Sequence, residues 1–350
     1  MAPTTKVSQQ DVNTAVALHE KMAKGKTGGA RLVLSFKVAE RMDFRNRDLS
    51  EAELVGAFLC ESLFSHAKMS RCNLFGADLT GCDLSDADLS NSDLSGVVLT
   101  GADLTNANLS NCILHGATLA GALLDHTNLD GADLTASNFG TQDLARADTS
   151  KAVLPVSIAN LEKSIQQIFI DHLDWLKTEG RTGHQADFER VNLADIEAPG
   201  VNLSAGRLAL CILRNAKLAG GYFQVADFSS AFMAGCDLVG AKLQGAKLDK
   251  ATLTGAKLRD ADMSPMPVDT LNQRVWNTKI KEANLTGADL RGANLAKADL
   301  AGSILRRADL REANLTDAIL LDCDFSGADL RGAILAGADT RGTAGLENAL

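Results

Sequence analysis

From Phe44 to Leu144 every fifth residue is Leu, Phe or Met, 21 times without exception. Two residues before each of these centres, from Ala52 to Ser137, stands Ala, Ser, Cys, Thr or Val. The residue between is usually Asp or Asn, and the two after the centre are mostly Gly, Ser, Thr, Asn or Ala. A repeat of this kind governs the fold, because each unit finds a core only by stacking on its neighbours.

A period of five matches neither the roughly 3.6 of a helix nor the roughly 2 of an unbroken strand. It does match a strand of about three residues followed by a corner, since residues two apart face the same way. The small residue and the centre then face inward, the Asp or Asn faces out, and Gly, Ser, Asn and Thr turn the chain. A chain that turns alike at every repeat winds into a coil, its turns stacked by backbone hydrogen bonds at roughly 4.8 Å. The interior is narrow, in keeping with an aromatic share of 4% and a single tyrosine. The period by itself leaves the number of sides and the hand open.

The A-(D/N)-L-x-x pattern, plainest in ADLTGCDLSDADLSNSDLSG from Ala77 to Gly96, resembles the pentapeptide-repeat family. The resemblance extends over residues 42–155, 186–263 and 283–341. It implies an all-β chain, a right-handed quadrilateral β-helix (pentapeptide-repeat solenoid) with four repeats per coil, here as two tandem arrays with short capping α-helices. It also implies a bacterial protein. The first dozen residues lack the apolar stretch of a secretory signal, which reads as a cytoplasmic address. A convex rod without a cleft reads as a non-enzyme without catalytic residues, cofactor or metal.

Between the arrays Ile158, Leu161, Ile165, Ile168, His172, Leu173 and Leu176 recur at helical spacing. They predict an amphipathic helix from Ser157 to Lys177 with Ser157 as N-cap. Val12, Val16, His19 and Ala23 predict a second helix near the N-terminus. His19-x-x-Met22 followed by Gly25-Lys-Thr-Gly28 parallels His172-x-x-Trp175 followed by Gly180-Arg-Thr-Gly183. Residues 1–41 thus read as a helix and lead-in, 42–155 as the first array, and 156–185 as a helix and glycine loop. The second array follows at 186–341, with a tail at 342–350. An inserted loop at 264–282 interrupts it: SPMPVDTLNQRVWNTKI breaks the register before centres return at Leu285. A coil end is an open β edge, so the helices read either as caps on it or as a dimer interface. Monomer and homodimer both remain open.

Cys72, Cys82, Cys112, Cys211, Cys236 and Cys323 all occupy the small inward slot, and Cys60 alone falls outside. Their spacing therefore belongs to the repeat, and they read as small buried hydrophobes rather than as disulfides or metal ligands. Gly25-Lys26-Thr27 is no phosphate loop, because Glu20 stands where that motif needs glycine. His66, His115 and His126 lie at outward corners, and His19 and His172 on apolar helix faces, without partners at ligand spacing. A stretch apolar enough to cross a membrane is missing from the sequence as well.

The net charge of −9 argues against direct nucleic-acid binding, which calls for a basic stripe. Residues 72–145 hold 10 Asp/Glu and no Lys or Arg, so this segment carries the acidic excess. Asp78, Asp83, Asp88, Asp93, Asp103, Asp133 and Asp143 occupy the outward position there. Phe58, Leu63, Val98, Ile113 and Leu123, with Tyr222 and Phe232 in the second array, place apolar side chains in the same outward position. They read as a partner-docking patch or as contacts to the helices or the other array. Four sides would put Leu63 and Leu123 on one face, Phe58 and Val98 on its neighbour, and Asp83, Asp103 and Asp143 together.

Two functions follow from the resemblance. One is a non-enzymatic interaction scaffold or regulatory binder of a protein partner. The other is a DNA mimic, since some family members bind DNA gyrase through an acidic rod that imitates the duplex. The acidic segment would span roughly 18 Å at about 4.8 Å per coil. Its 10 carboxylates then approach the charge density of duplex DNA, about one per 1.7 Å. Lys242, Lys247, Lys257, Arg291, Arg306 and Arg311 interrupt any such face in the second array.

Overall fold

The structure, a computed structural model, describes residues 6–139, 144, 146–269 and 274–348. The chain divides into two compact units, Pro3–Leu154 and Pro155–Leu350. Each is built from isolated parallel β-bridges that join residues 20 apart, such as Glu53 to Asn73 to Asp93 in the first unit and Lys217 to Asp237 to Lys257 in the second. Twenty residues are four repeats, so each coil has four bridge positions, and coil stacks on coil.

One repeat shows how the sequence does this. Leu54 donates its N–H to the Asn73 carbonyl of the next coil at 2.8 Å, and Gly56 donates to Phe75 at 2.8 Å. Ala57 N–H then closes a turn onto the Leu54 carbonyl at 3.0 Å. The third residue of that turn has positive φ in repeat after repeat, 56° at Gly56 and 57° at Glu61 and His66. Glycine takes this region freely, and Asn and Asp tolerate it, which is why those residues crowd the corners. The centres and small residues form one buried core per unit, from Val12 to Leu134 and from Ala186 to Leu330.

The small inward slot accepts Ser, Thr and Cys for a definite reason. Cys72 Sγ donates to the Leu49 carbonyl at 3.1 Å, and Cys112 Sγ donates to Leu89 at 3.0 Å. Thr127 Oγ1 donates likewise to Leu104 at 2.8 Å. A centre carbonyl of the preceding coil thus satisfies each of these small donors. Burial pushes the Cys72, Cys82, Cys112 and Cys323 thiols up to about 12, leaving them protonated and inert.

Helix α1, Gln9–Ala23, starts at a capping box in which Ser8 Oγ accepts from Asp11 N–H and Asp11 accepts from Ser8 N–H. It lays Val12 and Val16 on the first core. The second helix is shorter than the pattern predicts. Ser157 caps a 3-10 turn at Ile158–Asn160, the backbone becomes extended at Leu161, and α2 spans Ile165–Lys177 behind its own cap, Ser164. The break lets Leu161 pack on the second core beside Ile165, Ile168 and Phe169. Phe169 meets Phe188 of the first coil edge-on at 6.0 Å.

Two array limits also move. Val33 already bridges Glu53 and Val38 bridges Phe58, so coiling begins ahead of position 42, on buried Leu32 and Leu34. In the second unit the bridge spacing widens from 20 to 32 residues at Lys247–Lys279, so the insertion adds twelve residues to one coil. Thr278 and Ile280 are buried as an inward pair, hence repeats return at Ile280, one repeat before Leu285. The insertion holds an antiparallel hairpin, β1 Met266–Asp269 and β2 Arg274–Trp276.

Candidate partner-binding surface

The bridges sort the outward residues of the first unit into four columns, one per side. Glu53, Asn73, Asp93, Ile113 and Asp133 share the first, and Phe58, Asp78 and Val98 the second. Leu63, Asp83, Asp103 and Leu123 share the third, and Lys68, Asp88, Asn108 and Asn128 the fourth. The acidic residues are thus distributed around the coil rather than gathered on one face. Asp83 and Asp103 do stand together, while Asp143 lies outside the described residues.

Each aspartate also has local work. Asp78 Oδ1 accepts from the Thr80 N–H at 3.0 Å and the Thr80 hydroxyl at 2.6 Å. Asp83 does the same with Ser85 at 3.1 and 2.6 Å. Asp88, Asp93 and Asp103 accept from the N–H two residues on, at 3.1, 2.9 and 3.0 Å. Asn108 accepts from the Ser110 N–H at 3.1 Å in the same manner. The corner therefore needs one side-chain oxygen and no charge, which explains the interchange of Asp and Asn. In the fourth column the amides also ladder, Asn128 to Asn108 at 3.1 Å and Asn108 to Asp88 at 3.0 Å.

The charge is further reduced in space. Arg146 reaches Asp125 at 3.1 Å and Lys151 reaches Asp130 at 2.7 Å, each from about one coil away. His115 lies 3.1 Å from Asp133. Burial would raise the Asp133 carboxyl, but hydrogen bonds from His115 and Thr135 hold it well below the usual range. For Asp83 burial acts upward too, and hydrogen bonds from Ser85 and Ser65 with the nearby Arg45 charge bring it down. A segment free of bases in sequence is therefore not free of them in the fold.

The outward apolar residues differ in access. Leu123 is 52% and Ile113 42% exposed, whereas Phe58, Leu63 and Val98 are half-buried. In the second unit Tyr222 is exposed, but Phe232 is buried, as are its column neighbours Ile212, Thr252 and Ile304. Phe232 is accordingly withdrawn as a docking residue. Arg306 reaches into that column and pairs with Asp324, both buried. The inserted loop, marked in the sequence only by the break in register, is a hairpin that exposes Val268, Val275 and Trp276. Among the described residues no helix is long and apolar enough to cross a membrane.

The model of the family described as pentapeptide repeats matches residues 43–81, 82–119, 112–140, 207–245, 236–264, 276–307 and 308–343. No curated protein matches the chain. Among solved structures, HetL, a pentapeptide repeat protein involved in heterocyst differentiation regulation in the cyanobacterium Nostoc sp. strain PCC 7120, is 24% identical. The match covers 93% of each chain with a TM-score of 0.23. Full-length QnrB1, a plasmid-mediated fluoroquinolone resistance protein, is 15% identical over 86% of this chain and 93% of its own, with a TM-score of 0.23. A pentapeptide repeat protein of the Arabidopsis thaliana thylakoid lumen is 32% identical over 32% of this chain and 72% of its own, with a TM-score of 0.15.

Proposed function

The chain belongs to the pentapeptide-repeat family, and from that premise we propose that it is a non-enzymatic scaffold that docks a protein partner on the third column of its first unit. We infer the family's right-handed, square winding for both units, which the four repeats per coil support. The observation that carries the docking site is one column holding Leu63, Asp83, Asp103 and Leu123 in successive coils, spaced by about 4.8 Å. Exposed Leu123 and half-buried Leu63 on either side of two carboxylates suit a partner surface with a basic centre between apolar contacts. The backbone beneath is pinned by coil-to-coil hydrogen bonds, so little order has to be gained on binding.

Capture from an extract of the source organism tests this. Wild type is expected to retain a partner that Leu123→Ser loses, and that Asp83→Asn with Asp103→Asn loses more readily as salt is raised. Asn128→Ser on the fourth column should retain it. A partner held equally by all variants would refute the third column as the site. If that partner is gyrase, and wild type inhibits supercoiling while the double Asn variant does not, duplex mimicry replaces the scaffold reading. The spread of the acids over four columns and the pairing of Asp125 and Asp130 weigh against that outcome.

A further inference from the structure

Both helices carry a buried histidine placed in the same way. His19 Nδ1 accepts the Leu32 backbone N–H at 2.9 Å, and its Nε2 lies 3.0 Å from the Ser50 carbonyl. A ring nitrogen that accepts from an N–H carries no proton, so the hydrogen sits on Nε2 and is donated to Ser50. His172 Nδ1 accepts the Ala186 N–H at 3.0 Å. Its Nε2 is directed at the Ser204 backbone without closing a regular hydrogen bond. Leu32 and Ala186 are the first inward residues of their coils, and Ser50 and Ser204 follow the centre three repeats on, at the adjoining side of the four-repeat coil. The His19 ring therefore ties its helix to two points of a first coil, and the His172 ring ties its helix to one, the Ala186 N–H.

The surrounding packing repeats as well. A Cβ on Gly183 would lie 2.2 Å from the Asp171 carbonyl oxygen and 2.6 Å from Trp175 N, and one on Gly29 would lie 2.3 Å from Met22 N. The returning chain is thus pressed onto the last turns of each helix, in both units. Trp175 stacks on the His172 ring at 5.6 Å.

We propose that His172 is an acid-sensitive latch: a proton on Nδ1 takes away the acceptor of the Ala186 N–H, loosens α2 and opens the β edge of the second unit's first coil. Burial holds His172 below its ordinary value of 6.5. The folded state thus binds its proton less readily than the unfolded one. The latch is intact above about pH 6.5 and weakens as pH falls from there, by up to about tenfold in the opening equilibrium per pH unit. The charged groups on the elements around it are otherwise engaged. Asp171 is held by Lys163 at 2.6 Å, Asp174 accepts from Thr182 Oγ1 at 2.6 Å, and Asp187 stands 3.4 Å from Arg207. His184, on the returning loop, donates its backbone N–H to the Asp171 carbonyl at 3.1 Å. Ordinary carboxylates titrate near pH 4, well below the window of the latch.

Hydrogen exchange of the full chain at pH 7.5, 6.5 and 5.5, corrected for intrinsic rates, tests the latch. Wild type is expected to lose protection in residues 165–177 and 184–188 between pH 6.5 and 5.5, by at most about fivefold. His172→Asn, whose amide oxygen can take the place of Nδ1 and does not titrate, should lose none. Unchanged protection in wild type, or an equal loss in the variant, would overturn the proposal. Should the variant fail to fold, imidazole NMR of wild type decides. A neutral Nε2–H ring at pH 7 with a midpoint below 6.5 supports the latch, and an Nδ1–H ring or a higher midpoint refutes it.

Discussion

Leu89 and Ser90 are neighbours with opposite duties. Leu89 is fully buried, whereas Ser90 is half-buried and bonds Asp88 through its backbone N–H rather than its side chain. A buried Leu contributes about 1.5–3 kcal/mol, and an arginine in its place would bring an unpaired charge into a core without water. Leu89→Arg is therefore expected to unfold the first unit, and Ser90→Arg to leave its melting temperature nearly unchanged. Equal effects in a thermal melt would sink the assignment of inward and outward positions. The same division was legible in the sequence for the cysteines: the six in the small inward slot are buried, and Cys60 is only half-buried. The carboxylates were legible as outward but not as corner acceptors, because the bond runs to a backbone N–H that a residue pattern does not display.

At the scale of elements, the hairpin and the helices interrupt the repeat in different ways. Removing residues 266–277 would delete the twelve extra residues and put Thr278, Lys279 and Ile280 five positions after Ala261, Asp262 and Met263. Pro265 would then stand where each repeat needs positive φ, so the deletion requires Pro265→Gly as well. That shortened chain is expected to fold with a melting temperature within a few degrees of wild type. Collapse of the second unit would mean that the hairpin supports the coil rather than decorating it. The helices differ in that their apolar faces join the cores, and α2 starts late because Ser164 offers a cap that frees Leu161 for packing.

For the whole molecule, stability in stacked coils comes mainly from neighbouring turns. Each unit has its own continuous core and its own helix at the start. Residues 1–154 and 155–350 are therefore expected to be soluble apart and to melt cooperatively, each with a circular dichroism signal like its share of the full chain. Residues 181–350, stripped of α2, should aggregate through the uncovered first coil. If they fold unaided, the helix is no cap.

The sequence alone determined what is local and periodic: the inward and outward positions, the corner residues and the small-residue slot, since each repeat meets the same backbone conformation. It also announced the two helices and the insertion, because each breaks the period. What it left open depended on residues about a coil apart. The twenty-residue step that sorts Asp83, Asp103, Leu63 and Leu123 into one column is a property of stacking. So is the return of Arg146 and Lys151 onto Asp125 and Asp130, which undoes a charge block that looks unbroken in one dimension. The late start of α2, the early start of coiling at Val33 and the bonding of His19 and His172 were likewise decided in tertiary structure. Competing caps, edge pairing and buried ring nitrogens are settled by which groups fold against them, and no window of neighbouring residues holds that information.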